Sequence, residues 1–203
     1  MRSRDEKAVK KAQARAQGRT ANRAGQHAED AVATVCAWYE AQGWAVARKR
    51  PTPTKVVGRR GGRPVVVHSE PAGVDYSGTA RGPRAVHFEL KTSGTASLAL
   101  QAPDGEPTLK EVQAAELAAA HALGAVAAVL VRVKSKPRGE MPVEHWFWLP
   151  WTGWQAAVAA AEADGRKSLG LDLLLEHGVE VPPHPLLGGP DWLLALEAAE
   201  GAS

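Results

Sequence analysis

The chain has 203 residues, 44% hydrophobic and 23% charged, a mix that fits one globular α/β domain with terminal extensions. No apolar run approaches the roughly 18 residues of a membrane span, and the charged opening MRSRDEKAVKKAQARAQGR has no apolar core behind it, so neither a membrane partner nor a secretory signal is expected and the cytoplasm is the expected location. The net charge of +3 divides unevenly: residues 1–63 hold fifteen Lys/Arg against five Asp/Glu, and residues 64–203 hold ten against seventeen, a separation that a polyanionic partner would explain through release of its counterions.

Residues 1–20 are basic and lack an apolar face, which reads as an arm or a helix ordered by DNA. From Ala21 to Gln42 the apolar residues Ala28, Ala31, Val32, Val35, Trp38 and Tyr39 recur at helical spacing, an amphipathic helix that Gly43 ends. The lone cysteine, Cys36, falls in this helix as a small core residue and excludes an intrachain disulfide. Trp44–Lys49 alternates like a strand. PTPTKVVGRRGGR (51–63) then combines two prolines and three glycines with Lys55, Arg59, Arg60 and Arg63, and predicts a projecting loop or hairpin whose charges meet phosphates. VVVH (65–68) is strand-like. GVDYSG (73–78) and AVHFELK (85–91) predict a hairpin across the turn ARGPR. In its second strand Val86, Phe88 and Leu90 alternate with His87, Glu89 and Lys91, so one face is apolar and the other chemical. After a loop at 93–107, Thr108 is placed to N-cap a helix running to about Leu123, with Gly124 behind it. Ala125–Val133 reads as a buried strand, His145–Leu149 as another, and 152–164 and 189–199 as helices. The order predicts an α/β fold with a mixed central sheet and helices on both sides.

Hydrolysis of a phosphodiester needs an activated water, neutralised charge on the phosphate and help for the leaving oxygen, and hard cations on carboxylate oxygens meet much of this. The predicted hairpin brings Asp75 beside Glu89, so the two carboxylates can share a metal, while Lys91 leaves the same face as a point charge for the attacking water or the phosphate. A D…ExK string also arises by chance on a solvated strand. Here the strand is apolar on its other face, Gly73 and Gly78 flank the aspartate, and a helix follows.

This arrangement resembles the PD-(D/E)XK nuclease superfamily, with its restriction-endonuclease-like core. ANRAGQHAED (21–30), KRPTPTKVV (49–57), GVDYSG, FELKT (88–92) and a helix carrying Gln113, in that order, narrow it to a resemblance to the RecU family of Holliday-junction resolvases over about residues 21–133. Hjc-type resolvases are close neighbours. The resemblance implies a homodimer that cuts four-way DNA junctions with Mg²⁺ or Mn²⁺. It implies Asp75 and Glu89 as metal ligands, Lys91 as the stabiliser of the transition state, Gln113 at the metal site and Glu29 pointing from the first helix toward the same metals. It also implies that a stalk at about 51–71 enters the junction centre. Two departures stand out: Val74 replaces a threonine often found before the aspartate, and Ala24 is inserted between Arg23 and Gly25.

The domain reading is therefore a basic arm at 1–20, a nuclease domain at 21–150 and a helical extension at 151–203. DNA contacts are expected from Arg19 and Arg23 on the first helix and arm and from Lys55, Arg59, Arg60 and Arg63 on the stalk. Two other readings stay open: a different PD-(D/E)XK endonuclease of restriction or repair type, and a non-catalytic DNA-binding protein. Trp146, Trp148, Trp151 and Trp154 fit a core or interface cluster better than a base-stacking platform, and the histidines lack zinc spacing.

Overall fold

The computed structural model describes residues 4–51, 54–68, 73–137 and 139–201. The chain begins with one helix, α1 (Arg4–Ala41). Ala28, Val32, Val35, Cys36 and Tyr39 form its buried face, the amphipathic stripe expected from their spacing. The helix does not begin near residue 21: the basic segment continues it without a break from Arg4. Ala, Gln, Lys and Arg are strong helix formers, and extending a helix is far easier than nucleating one, so no apolar face is needed there. Side chains before Arg23, that of Arg19 included, lie outside the described residues, as do residues 52–53 and 69–72 of the expected stalk.

Strands β1 (Ala45–Lys49), β2 (Thr54–Arg60), β3 (Arg63–His68), β4 (Tyr76–Ala80), β5 (Arg84–Thr92) and β6 (Ser97–Ala99) lead to α2 (Glu111–Ala122). Then come β7 (Val126–Ser135), β8 (Val143–Pro150), α3 (Trp151–Ala163), β9 (Ser168–Gly170), α4 (Leu171–His177), β10 (Val179–Glu180) and α5 (Trp192–Gly201). The central sheet runs β1-β4-β5-β7-β8-β10. Its β5–β7 pair is parallel and its other pairs are antiparallel. The fold is thus α/β with a mixed central sheet between helices, the class read from the sequence and one compatible with a nuclease core.

Each face of the sheet carries its own core. Tyr76, Phe88, Leu90, Leu130 and Trp148 pack with residues of α1 and α5, while Val129, Val131, Phe147 and Leu149 pack on the other side with Leu117 of α2, Trp154 of α3 and Leu174 of α4. Alternation along β5 therefore sends Phe88 and Leu90 toward α1 and leaves Glu89 and Lys91 facing α2. Residues past 150 complete both layers, with β10 as the sixth strand and Trp192 and Leu196 in the α1-side core. Trp148, Trp151 and Trp154 are buried, and Trp146, partly buried, packs against the α1-side cluster that holds Trp148, so the tryptophan run is core. The short strands β6, β9 and β10 and helix α4 were not among the expected elements.

The start of α2 also differs from expectation. Thr108 does not cap it; the N-cap is Lys110. The chain at 107–108 folds back instead, with a Gln101–Pro107 bridge and the Thr108 N–H donating to the Leu100 carbonyl at 2.9 Å. Leu109 is buried by this fold-back, and the helix starts only after it.

β2 and β3 pair only with each other, in a two-stranded sheet separate from the central one. Arg60 faces Arg63 across Gly61 and Gly62, whose φ of +57° and +78° are what a two-residue hairpin turn demands. The predicted projection is a β-hairpin, and every residue of β2 is exposed.

Candidate active site

The β4–β5 register, with Tyr76 opposite Phe88, carries the aspartate next to the ExK strand. Tyr76 and Phe88 stack at 4.7 Å in the α1-side core, so the residues one step away, Asp75 and Glu89, look toward α2. The two are tied reciprocally. The Asp75 N–H donates to Glu89 Oε2 at 2.8 Å, and the Leu90 N–H donates to Asp75 Oδ2 at 3.2 Å.

Glu89 Oε1 accepts from Lys91 Nζ at 2.8 Å and from Gln113 Nε2 at 2.6 Å. Gln113 Oε1 in turn accepts from Lys91 Nζ at 3.0 Å and from the Lys110 N–H at 3.1 Å. The glutamine is thereby fixed to the first turn of α2 and holds both Glu89 and Lys91; its amide is spent on these partners. Glu89 and Gln113 are almost fully buried, at 2% and 3% exposure. Burial pushes the Glu89 carboxyl up to about 7; the Lys91 ammonium opposes this and the Asp75 charge adds to it. A buried, hydrogen-bonded carboxylate beside a second carboxylate is a site that gains from a cation.

Among the described residues no three His, Cys, Asp or Glu side chains gather into one group. Two carboxylates are nonetheless the protein donor set that Mg²⁺ commonly uses, since it keeps several waters and takes phosphate oxygens from its substrate. The residues present fit such an ion.

Not every expected site residue joins this group. The Glu29 carboxylate is ion-paired with Lys49 of β1, and the Glu29 carbonyl accepts from the Tyr76 hydroxyl at 3.3 Å. With Ala28 and Val32 turned into the core, Glu29 lies about 100° round the helix, toward β1 on the α1 side of the sheet. Arg23 is exposed on α1. Lys55, Arg59, Arg60 and Arg63 are all exposed along the hairpin, far in the pairing scheme from Glu89.

Two residues near the site, Arg50 and Glu116, escaped the sequence reading, and they meet His87 of the chemical face. Arg50 Nη1 lies 2.5 and 2.8 Å from the two oxygens of Glu116 on α2, and His87 Nδ1 lies 3.2 Å from Glu116 Oε1. The available signal was helical spacing, since Glu116 follows Gln113 by three and shares its side of α2. A third, Arg132, is buried in β7. It is paired with Glu144, lies over the Trp146 ring at 5.7 Å and donates to the Ala24 carbonyl at 3.1 Å, anchoring α1 next to Arg23. Val74 is buried in the α2-side core, a use for the valine that stands where a threonine was expected.

The family model for RecU, recombination protein U, matches residues 23–187, well beyond the stretch 21–133 that carries the resemblance in sequence. No curated protein sequence matches the chain.

Proposed function

The chain belongs to the RecU family, recombination protein U, which gives it a Holliday-junction resolvase role in recombination, and on that premise we propose that it is a homodimeric endonuclease whose divalent-metal-dependent chemistry rests on Asp75, Glu89 and Lys91. The observation that carries this reading is the reciprocal pinning of Asp75 and Glu89 across β4 and β5, with Lys91 held on Glu89 and Gln113. No described helix is long and apolar enough to cross a membrane.

Asp75 and Glu89 would hold Mg²⁺ or Mn²⁺, which supplies Lewis acidity toward the phosphate and a more acidic bound water. The chain's own residues do the rest. Lys91, partly buried and fixed by two acceptors, presents an ammonium where charge builds on the phosphorane-like centre or the departing oxygen. Gln113 acts through Glu89 and Lys91, setting their positions from the helix start. Glu29 could reach this group only by releasing Lys49. A four-way junction has two-fold symmetry and needs two cuts, which a two-fold dimer with two sites supplies. The basic hairpin, together with Arg19 and Arg23 of the α1 sequence, would contact phosphates, which position the DNA without reading its sequence.

The test is incubation of the protein with a synthetic mobile four-way junction and Mg²⁺, beside a linear duplex of the same sequence. Paired nicks in the junction, and none in the duplex, are expected. Equal cleavage of the duplex would favour a restriction- or repair-type nuclease, and tight binding without cleavage would favour a non-catalytic DNA-binding protein. Lys91→Ala is expected to slow single-turnover cleavage by about 10²-fold, roughly 2.7 kcal/mol of lost transition-state stabilisation. A rate within a few-fold of wild type would remove lysine from the chemistry.

A further inference from the structure

The segment carrying Asp75 is held from two sides. Glu89 accepts the Asp75 N–H from β5, and Glu116 Oε2 accepts the Val74 N–H from α2 at 3.1 Å. Position 73 makes this second hold possible. Gly73 has φ +139°, and a Cβ built on it would lie 1.8 Å from Glu116 Oε2. The carboxylate thus occupies the space that any side chain at 73 would need. Arg50 and His87 keep the carboxylate there, and the Arg50 N–H donates to the Asp75 carbonyl at 2.7 Å. The peptide units on both sides of Asp75 are therefore fixed by one closed set of contacts.

We propose that Glu116 is a positioning residue for Asp75, acting through the Val74 N–H to fix the backbone from which the aspartate reaches its metal. The inference rests on the reading of Asp75 and Glu89 as the metal-holding pair. One side of α2 then serves both carboxylates: Gln113 bonds Glu89 directly, and three residues on Glu116 secures the strand of Asp75. Val74 leaves only its backbone for this task, since its side chain is in the core. Removing a group that orients a ligand from behind commonly lowers metal affinity or activity by 10- to 100-fold, without the total loss that follows removal of the ligand itself.

The experiment compares Glu116→Ala, Glu116→Gln and Glu116→Met with the wild-type chain and with Glu89→Gln. Three quantities are read: the Mg²⁺ concentration giving half of the metal-induced rise in melting temperature without DNA, the single-turnover cleavage rate at saturating junction, and the junction Kd without metal. Glu116→Ala and Glu116→Met, which cannot accept from Val74, are expected to raise the Mg²⁺ midpoint and slow cleavage by roughly 10- to 100-fold. Their junction Kd should stay at the wild-type value. Glu116→Gln keeps a carbonyl oxygen for the same N–H and should stay within about threefold of wild type, because only exposed ion pairing is lost. If Glu116→Ala does not fold, Glu116→Met, which fills the same space, decides alone. A wild-type Mg²⁺ midpoint in the non-accepting variants, or a glutamine variant as defective as they are, overturns the proposal. If Glu89→Gln loses the metal response while these variants keep it, only the positioning role fails. If Glu89→Gln also keeps it, the metal reading of the pair falls and takes the proposal with it.

Discussion

Replacing Glu89 by glutamine is expected to abolish junction cleavage, to leave junction binding intact or tighter, and to flatten a defined part of the pH dependence of folding. The first two effects follow from charge. The variant loses one of two carboxylates available to a cation, and it also loses a negative charge that repels the DNA backbone. The third follows from burial, which pushes the Glu89 carboxyl up to about 7, against an ordinary value near 4.5. The folded chain then binds this proton more tightly than the unfolded chain does. The stabilising contribution is complete below about pH 4.5 and is lost as pH rises through 7. In metal-free protein the group should cost up to about 3 kcal/mol of stability between pH 5 and pH 8. Denaturant unfolding at those two pH values, in chelator, checks this: the wild-type drop should exceed that of Glu89→Gln, and Mg²⁺ should narrow the difference. Wild-type-like cleavage by the variant would remove Glu89 from the active site, and equal drops would show that its burial carries no protonation cost.

The second large effect belongs to the hairpin. Changing Lys55, Arg59, Arg60 and Arg63 together to alanine is expected to weaken junction binding strongly and duplex binding less, because the α1 sequence still supplies Arg15, Arg19 and Arg23. Each lost phosphate contact should lower the slope of log K against log salt by about 0.9. β2 and β3 pair only with each other, so the substitutions disturb no strand of the central sheet and the melting temperature should hold. The deciding quantity is the ratio of junction to duplex affinity at one fixed salt concentration. A large fall makes the hairpin the element that recognises branching. An unchanged ratio makes it a basic tether, with selectivity left to the shape of the dimer.

Much of this architecture was legible in the sequence, for local reasons. Period-two alternation in AVHFELK sorted Phe88 and Leu90 from Glu89 and Lys91, and one hairpin then sufficed to bring Asp75 alongside. Helical spacing found the buried stripe of α1 from Ala28 to Tyr39. The failures share a different cause. β6, β9 and β10 are two or three residues long and too short to show a period. Thr108 looked like a cap, but the return of 107–108 onto 100–101 depends on tertiary contacts. The resemblance, not any local pattern, was what pointed Glu29 toward the metals, and here its carboxylate is paired with Lys49. Glu116 stands 42 residues from the amide it accepts, and a contact at that separation leaves no local pattern.

The free-standing hairpin also makes its own reach adjustable. Its strands advance by roughly 3.3 Å per residue, so the six or seven residues of each arm extend it by about 20 Å. Adding one residue to each strand beside Gly61–Gly62 would lengthen the probe by a single step and swap which flank each tip arginine occupies. Adding two to each would lengthen it by about 6.6 Å and restore the original flanks. The projection can therefore be tuned like a ruler with two-residue gradations, matched to the width of whatever opening it enters, while the sheet that carries Asp75 and Glu89 keeps its register throughout.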